Sequence, residues 1–237
     1  MACHWEPIIT QYYKTLGDQA KNQPVFVIDF QYCYTTQFST VPIEFSIAAL
    51  RPNNPSESLD PYTKILRPEV PDNYKLRAKQ HAKTEHQIDD ITNPEKETDF
   101  VMVWKMMNKY INDLTSSVFQ PVVVCKGFSR AMQCVEYISR QANVSGNELA
   151  ESAFRVMFPL DEFVQTMLSL KRVVIDQNYL SRVVKPMLTL NPNEEYRCSF
   201  HAEQKNILYG CSKANSLYFV QFLTDLNIPE CVSKIAL

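Results

Sequence analysis

The chain has 237 residues, of which 45% are hydrophobic, 11% are aromatic and 21% are charged, and its formal net charge is −2. This composition excludes a disordered tail and predicts one folded domain with a sizeable core, while the net charge excludes a protein that coats nucleic acid by bulk electrostatics. No apolar run reaches the roughly 18 residues of a membrane span, and the opening residues lack the pattern of a signal peptide, so we expect an intracellular protein without a membrane partner.

The first half of the chain carries three predicted strands. Two continuous apolar and aromatic runs, PVFVIDFQYCY at 24–34 and VPIEFSIAAL at 41–50, predict neighbouring strands, one of them buried on both faces. A connection at 51–61 that is rich in Pro, Asn and Ser leads to a third short strand in YTKILRP. We therefore expect an antiparallel meander of three strands. The polar and unpatterned residues 68–94 predict a long surface loop.

The second half of the chain alternates between predicted helices and a predicted strand. Apolar residues recur at helical spacing over 99–114 and again from Ala131 to Ile138, which predicts two amphipathic helices, and PVVVCK at 121–126 predicts a strand between them. Residues 147–227 are predicted to be mainly helical. This order is typical of a mixed α/β sheet. The chain has only four glycines, and neither GxGxxG nor GxxxxGKS occurs, which excludes phosphate-cradling glycine loops.

The sharpest local motif is a Cys-x-x-His pair, Cys198 and His201, which is followed after nine residues by Cys211. Thiolate and imidazole are ligands that zinc prefers, and cysteines in a reducing compartment are more often core residues or metal ligands than disulfides. The spacing supplies three ligands and leaves Cys125 and Cys231 open as a fourth. The alternative is a core cysteine near the start of a helix.

Several motifs, taken together and in order, resemble the Maelstrom domain family. The Cys-x-x-His-x9-Cys stretch with its NILYGC core resembles the family's carboxy-terminal signature, and VPIEFSIAAL resembles its early strand, which carries a zinc-binding glutamate at the position of Glu44. The segment ILRPEVPDNYKLRAKQHAKTEHQI resembles the family's proline-punctuated segment, and PVVVCKGFSRAMQCVEYI resembles its strand–helix unit. The likeness covers about 24–226 of a single domain predicted to span 1–237.

The resemblance implies an α/β fold with a ribonuclease H-like mixed sheet flanked by helices, and a zinc-clipped, mainly helical C-terminal part. It also implies that one structural zinc ion is bound by Glu44, Cys198, His201 and Cys211. Four protein ligands leave no open position, and such closed sites are structural because catalysis needs a vacant or water-filled corner. By its strand position alone, Glu44 would be a solvent-facing residue.

Maelstrom domains resemble DEDD-type exonucleases, in which four acidic residues hold two catalytic cations. Those enzymes place Asp-x-Glu on the first strand, where this chain has Asp29 followed by Gln31. The second acidic position falls in the stretch Ser129–Arg130–Ala131, and the residue five positions after His201 is Asn206. We therefore expect no catalytic carboxylate set. Asp29 is a candidate relic of the site or a polar residue at a strand end.

A cluster of basic residues with one tyrosine lies between 64 and 83. These candidate RNA-binding residues are Lys64, Arg67, Tyr74, Lys75, Arg77, Lys79 and Lys83. Lysine and arginine neutralise phosphates, and a tyrosine stacks on an unpaired base. The alternative is a solvated face, because Glu85, Asp89 and Asp90 follow closely. Lone loop histidines such as His86 are usually solvated side chains.

The resemblance implies an RNA-binding or scaffold domain with a degenerate exonuclease site that acts in germline piRNA-mediated transposon silencing. Its expected partners are weakly bound single-stranded RNA and proteins of the small-RNA silencing machinery. Its expected locations are the cytoplasm, perinuclear germ granules (nuage) and the nucleus. The alternative function is a metal-independent, single-strand-specific RNA endonuclease. The sequence shows no HMG box, so we expect no duplex-DNA binding.

Overall fold

A mixed sheet forms the centre of the computed structural model, which describes residues 5–57, 59–88, 96–115, 120–170, 194–202 and 210–230. In those ranges the sheet has five strands in the order β3-β2-β1-β4-β5. Their bounds are β1 (Val25–Thr35), β2 (Thr40–Leu50), β3 (Tyr62–Ile65), β4 (Val122–Cys125) and β5 (Met157–Pro159).

β1 pairs antiparallel with β2, and β2 pairs antiparallel with β3, which confirms the predicted meander. β4 runs parallel to β1, and β5 runs parallel to β4. All eleven residues of β2 are buried, because helices cover both faces of the sheet. β2 is thus the strand predicted to be buried on both faces, and its polar residues Glu44 and Ser46 must find partners inside the protein.

Eight α-helices within the described ranges flank the sheet. Their bounds are α1 (Glu6–Leu16), α2 (Lys75–His81), α3 (Phe100–Leu114), α4 (Phe128–Gln141), α5 (Gly146–Glu151), α6 (Leu160–Leu170), α7 (Ser199–Ala202) and α8 (Ser212–Asp225). Helices α1, α6 and α8 contribute to the core on one face of the sheet, and α3 and α4 contribute to the core on the other. None of these helices has the length and apolar character that a membrane span requires.

The predicted fold class and most predicted elements are confirmed. β1 to β4, α3 and α4 lie where the apolar patterns placed them, and the described part of the C-terminal region is mainly helical apart from β5. β5 has only three residues, which is too short to give a pattern. The remaining residues predicted to be helical, 171–193 and 203–209, lie outside the described ranges.

The prediction of a loop over 68–94 is wrong in its described part. A 3₁₀ turn at Asp72–Tyr74 leads into α2, which continues as a π-helix at Ala82–His86. The side that packs inward carries the small residue Ala78, so no apolar stripe marks the helix in the sequence. His86, expected to be solvated, is 1% exposed.

Candidate metal centre

Four buried side chains, Glu44, Cys198, His201 and Cys211, bring their ligand atoms within 4.8 Å of one another. Cys198 Sγ lies 3.4 Å from Glu44 Oε1 and 3.0 Å from His201 Nδ1, and the latter two atoms are 3.6 Å apart. Ligand atoms about 2.0 to 2.3 Å from a tetrahedral ion stand roughly 3.3 to 3.8 Å apart. The cluster therefore has nearly the size of a tetrahedral site and could hold a metal ion.

The site joins the second strand to the C-terminal helices. Glu44 lies on β2 opposite Gln31 of β1, and it is 154 residues before Cys198. Cys198 and His201 lie on one turn, in which the amide of His201 donates to the Cys198 carbonyl at 3.0 Å. Cys211 is the N-cap of α8. A bound ion would therefore fix the start of α8 against the sheet.

Backbone groups orient three of the four ligands. His201 Nε2 lies 2.8 Å from the carbonyl oxygen of His86, so when it donates there the lone pair of Nδ1 faces the site. The amide of Ser212 donates to Glu44 Oε2 at 2.7 Å, which leaves Oε1 facing Cys198. The amide of Cys198 donates to Cys211 Sγ at 3.3 Å. These contacts are the outer hydrogen bonds that a metal site needs.

Without an ion, Cys198 and His201 hold protons that a metal would displace. Burial raises the pKa of Glu44, and a hydrogen bond to Cys211 raises the pKa of Cys198. That same bond lowers the pKa of Cys211 to about 4. Burial opposes protonation of His201, but hydrogen bonds to Cys211 and Glu44 outweigh it and raise its pKa to about 10. Metal binding would release these protons, because zinc ligands bind deprotonated.

Gly210, which directly precedes Cys211, packs against the backbone at the end of the π-helix. A Cβ atom at this position would collide with the Glu85 carbonyl and with His86 Cα. Only glycine permits this approach. Because the His86 carbonyl also contacts His201, the close packing at Gly210 positions that carbonyl for the metal centre.

The relic candidate Asp29 lies on the same sheet face as Glu44, on the neighbouring strand. Its Oδ2 accepts hydrogen bonds from Asn215 Nδ2 at 2.9 Å and from Gln31 Nε2 at 3.3 Å. Burial raises the pKa of Asp29 to about 7, and the nearby charge of Glu44 adds to the rise. Two amides thus contact the Asp29 carboxylate.

The other expected exonuclease positions carry no described carboxylate. In the predicted stretch Ser129–Arg130–Ala131, the first two residues are exposed at the start of α4 and the third is buried. The guanidinium of Arg130 donates to Tyr32 Oη at 2.7 Å. Asn206, predicted to replace the last aspartate, lies outside the described residues.

Sequence reasoning missed the polar stripe of α8. Ser212, Asn215 and Ser216 are buried on one side of the helix, at the spacing that places residues on a common face. Ser216 Oγ donates to Ser46 Oγ at 2.9 Å. Ser212 contacts Glu44, and Asn215 contacts Asp29. Three short polar residues at this spacing in the first half of the helix were the available signal for a polar contact with the sheet.

The predicted RNA-binding residues are spread over several elements and do not form one loop. Lys64 lies on β3, Arg67 follows it, and both are exposed. Tyr74, predicted to stack on a base, instead stacks on Tyr34 at a ring separation of 4.7 Å. The other four lie on α2 and the π-helix and are exposed: Lys75, Arg77, Lys79 and Lys83.

These four cations lie on two different sides of the helix, with the three lysines in one row. Lys75, Lys79 and Lys83 are four residues apart and follow one side, and Lys75 pairs with Asp72 at 2.6 Å. Arg77 lies on another side and donates to the Thr35 carbonyl at 2.8 Å. Because Arg77 contacts β1 and the lysine row follows another side of the helix, Arg77 and the lysines face different surroundings.

A family model described as "Maelstrom: piRNA pathway germ-plasm component" matches residues 33–234. A sequence comparison with curated proteins finds no match.

Several solved structures of exonucleases are similar to the chain. A 3′-exonuclease in 3′-end-specific recognition of a histone mRNA stem-loop is 12% identical, with a TM-score of 0.48 over 90% of this chain and 64% of that one. The nuclease domain of a DEDDh-family 3′-exonuclease bound to rAMP is 14% identical, with a TM-score of 0.46, and the match covers 86% of this chain and 92% of that one. E. coli exonuclease I with an oligonucleotide is 11% identical, with a TM-score of 0.49, and the match covers 90% of this chain and 42% of that one. The chain spans less than two thirds of the first and third structures.

Proposed function

Because the chain belongs to the Maelstrom family, we propose that it is an RNA-binding domain without exonuclease activity, held together by one structural zinc ion. In this proposal the domain acts in germline piRNA-mediated transposon silencing, together with proteins of the small-RNA machinery. Its places of action are the cytoplasm, perinuclear germ granules (nuage) and the nucleus. It binds single-stranded RNA weakly and does not bind duplex DNA.

The donor set of the metal centre supports zinc. Two thiolates, one imidazole and one carboxylate at the spacing of a tetrahedron are ligands that zinc accepts, whereas magnesium and calcium prefer oxygen ligands. All four ligands are protein groups and all are buried, so a bound ion has no corner for a substrate. The role of the ion is therefore to add binding free energy to folding.

The observation that carries the proposal is the contact between α8 and Asp29. Two-metal hydrolysis needs several carboxylates around its cations. Asp29 instead accepts hydrogen bonds from two amides, Asn215 and Gln31, and burial favours its protonated form. The metal ligand Cys211 begins the helix that carries Asn215. The zinc site thus supports a helix that occupies the cation-binding side of the relic carboxylate.

One assay separates the proposed function from nuclease alternatives. End-labelled single-stranded RNA is incubated with the purified protein in magnesium, in manganese and in a chelator, and binding and cleavage are followed in the same samples. We expect binding at micromolar strength or weaker and intact RNA throughout. Stepwise shortening that requires added metal would overturn the proposal. Cleavage that persists in chelator and disappears in a point variant would establish a metal-independent ribonuclease instead.

A further inference from the structure

Four side chains from three elements meet beside the irregular end of β1. The ring of His81 on α2 lies 4.7 Å from the ring of Tyr32, and the guanidinium of Arg130 on α4 lies 5.2 Å from the same ring. Arg77 lies one helical turn before His81 and is tied to the carbonyl of Thr35. We call Tyr32, Arg77, His81 and Arg130 the Tyr32 cluster.

The cluster is positively charged, and its two arginines have no carboxylate partner among the described residues. Burial lowers the pKa of His81, and the charge of Glu85 raises it. The charges of Arg130 and Arg77 lower this pKa, so both guanidinium groups act on the imidazole. Within the described part of the chain, neither arginine forms an ion pair with a carboxylate. His81 Nδ1 likewise has no hydrogen-bond partner there.

Both guanidinium groups are held in place with donors to spare. Arg130 donates from Nη1 to Tyr32 Oη and Arg77 donates from Nη1 to a backbone carbonyl, while a guanidinium group carries five N–H donors in all. Both arginines are exposed. The pairing register of β1 shifts on either side of Tyr32, and such bulges redirect a side chain. The cluster therefore presents pre-positioned donors in the geometry that suits phosphate oxygens.

A bare aromatic ring lies on the same hairpin. Phe38 is 81% exposed in the turn between β1 and β2, where Thr36 and Ser39 are joined by a backbone hydrogen bond of 2.8 Å. The turn follows Thr35, the residue that Arg77 contacts. A cationic donor at the end of β1 and an exposed ring in the turn that follows form a combination that suits single-stranded nucleic acid, because an unpaired base exposes its face for stacking.

We propose that the Tyr32 cluster binds a backbone phosphate of single-stranded RNA and that Phe38 stacks on a neighbouring base. This inference rests on the proposed RNA-binding function and gives it a location. The lysine row Lys75, Lys79 and Lys83, on the other side of α2, is not the primary contact.

The test compares removal of equal charge from the Tyr32 cluster and from the lysine row of α2. Binding of a short fluorescein-labelled oligouridylate is measured by anisotropy across a salt series for the wild type, for the double variant Arg77→Gln/Arg130→Gln, and for the control Lys75→Gln/Lys79→Gln. We expect the arginine variant to lose about tenfold or more in affinity. Its slope of log affinity against log salt should fall by about 0.7, the value for one phosphate contact on a single strand.

A second pair of variants tests the ring. Phe38→Ala should weaken oligouridylate binding by about fivefold or more. The control Leu76→Ala removes another exposed apolar side chain, 70% exposed on α2, and should leave binding unchanged. Zinc content and thermal unfolding are measured for every variant, to identify any loss of binding that comes from misfolding. The single variants Arg77→Gln and Arg130→Gln are measured in the same way.

The outcomes separate the two proposals. If the wild type does not bind the oligouridylate, the RNA-binding function itself fails, and the location fails with it. If the wild type binds and the arginine variant loses no more affinity than the lysine variant, only the location is overturned. A Phe38→Ala variant that binds as tightly as Leu76→Ala would remove the stacking contact from the proposal.

Discussion

Asn215 donates a hydrogen bond to Asp29 across 186 residues of sequence, at 2.9 Å. The contact joins α8 to β1. It also stands beside the candidate metal centre, because the N-cap of α8 is Cys211, one of its four residues. The Asp29 carboxylate is therefore part of the contact between α8 and the sheet.

The purified protein should contain about one equivalent of zinc, and Cys198→Ser or Cys211→Ser should abolish it. Loss of one ligand removes binding free energy that contributes to folding, so we expect a loss of several kcal/mol in stability or insoluble protein. The matched control is Cys125→Ala, which changes a buried cysteine outside the cluster. Metal analysis and thermal unfolding check the prediction. A well-folded, zinc-free wild type would contradict it.

Gly210→Ala should destabilise the protein by about 1 to 3 kcal/mol, because the added methyl group forces the backbone of Glu85 and His86 to move. The same shift should weaken zinc retention through the His86 carbonyl. The control Gly146→Ala places a methyl group in open space and should change stability little. Chemical denaturation and competition with a chelator measure both effects. Equal stability of the two variants would contradict the predicted clash.

Asp29→Asn should stabilise the protein at alkaline pH. The folded-state pKa is raised from 3.8 to about 7, so the stability that the protonated carboxyl contributes is present below about pH 4 and is lost as pH rises through 7. Asparagine does not titrate, and the variant should exceed the wild type by about 2 to 4 kcal/mol near pH 8.

Denaturation at several pH values measures the difference in stability between Asp29→Asn and the wild type, which should narrow as the pH falls towards about 5. The matched control is Asp18→Asn, which makes the same substitution at an exposed position. A difference between Asp29→Asn and the wild type that stays constant with pH would contradict the assigned burial effect.

Magnesium or manganese should not stimulate shortening of RNA from a labelled end. The described residues around Asp29 offer the amides of Gln31 and Asn215, which cannot replace carboxylates in a two-metal site. Time courses with and without added metal measure the effect. Metal-dependent shortening by the wild type that disappears in Asp29→Asn would show that the site still binds catalytic cations.

The sequence predicts those features that arise from long local patterns. β1, β2, α3 and α4 each carry an extended apolar pattern and were predicted on that basis. Cys198, His201 and Cys211 were identifiable as candidate ligands because they lie close together in the chain. Glu44 was assigned only through the family resemblance, because a single glutamate in a strand normally faces solvent.

Other features depend on contacts that no local pattern records. α2 buries the small side chain of Ala78 and gives no apolar stripe. Asn215 and Asp29 are too distant in sequence for their contact to be predicted without the strand order and helix placement. The Tyr32 cluster combines three elements, and its arginines are ordinary surface residues by sequence. Such contacts follow from the tertiary fold.

The separation between Glu44 and the other ligands has a consequence for biosynthesis. The carboxylate lies in a strand that is buried along its whole length, and its ligand partners begin 154 residues later. At about 5 to 20 residues per second, a ribosome needs roughly 8 to 30 s to make that stretch. During this interval the carboxylate has no metal site, and burying it alone would be costly. The nascent sheet should therefore remain open at β2 until Cys198, His201 and Cys211 have been synthesised.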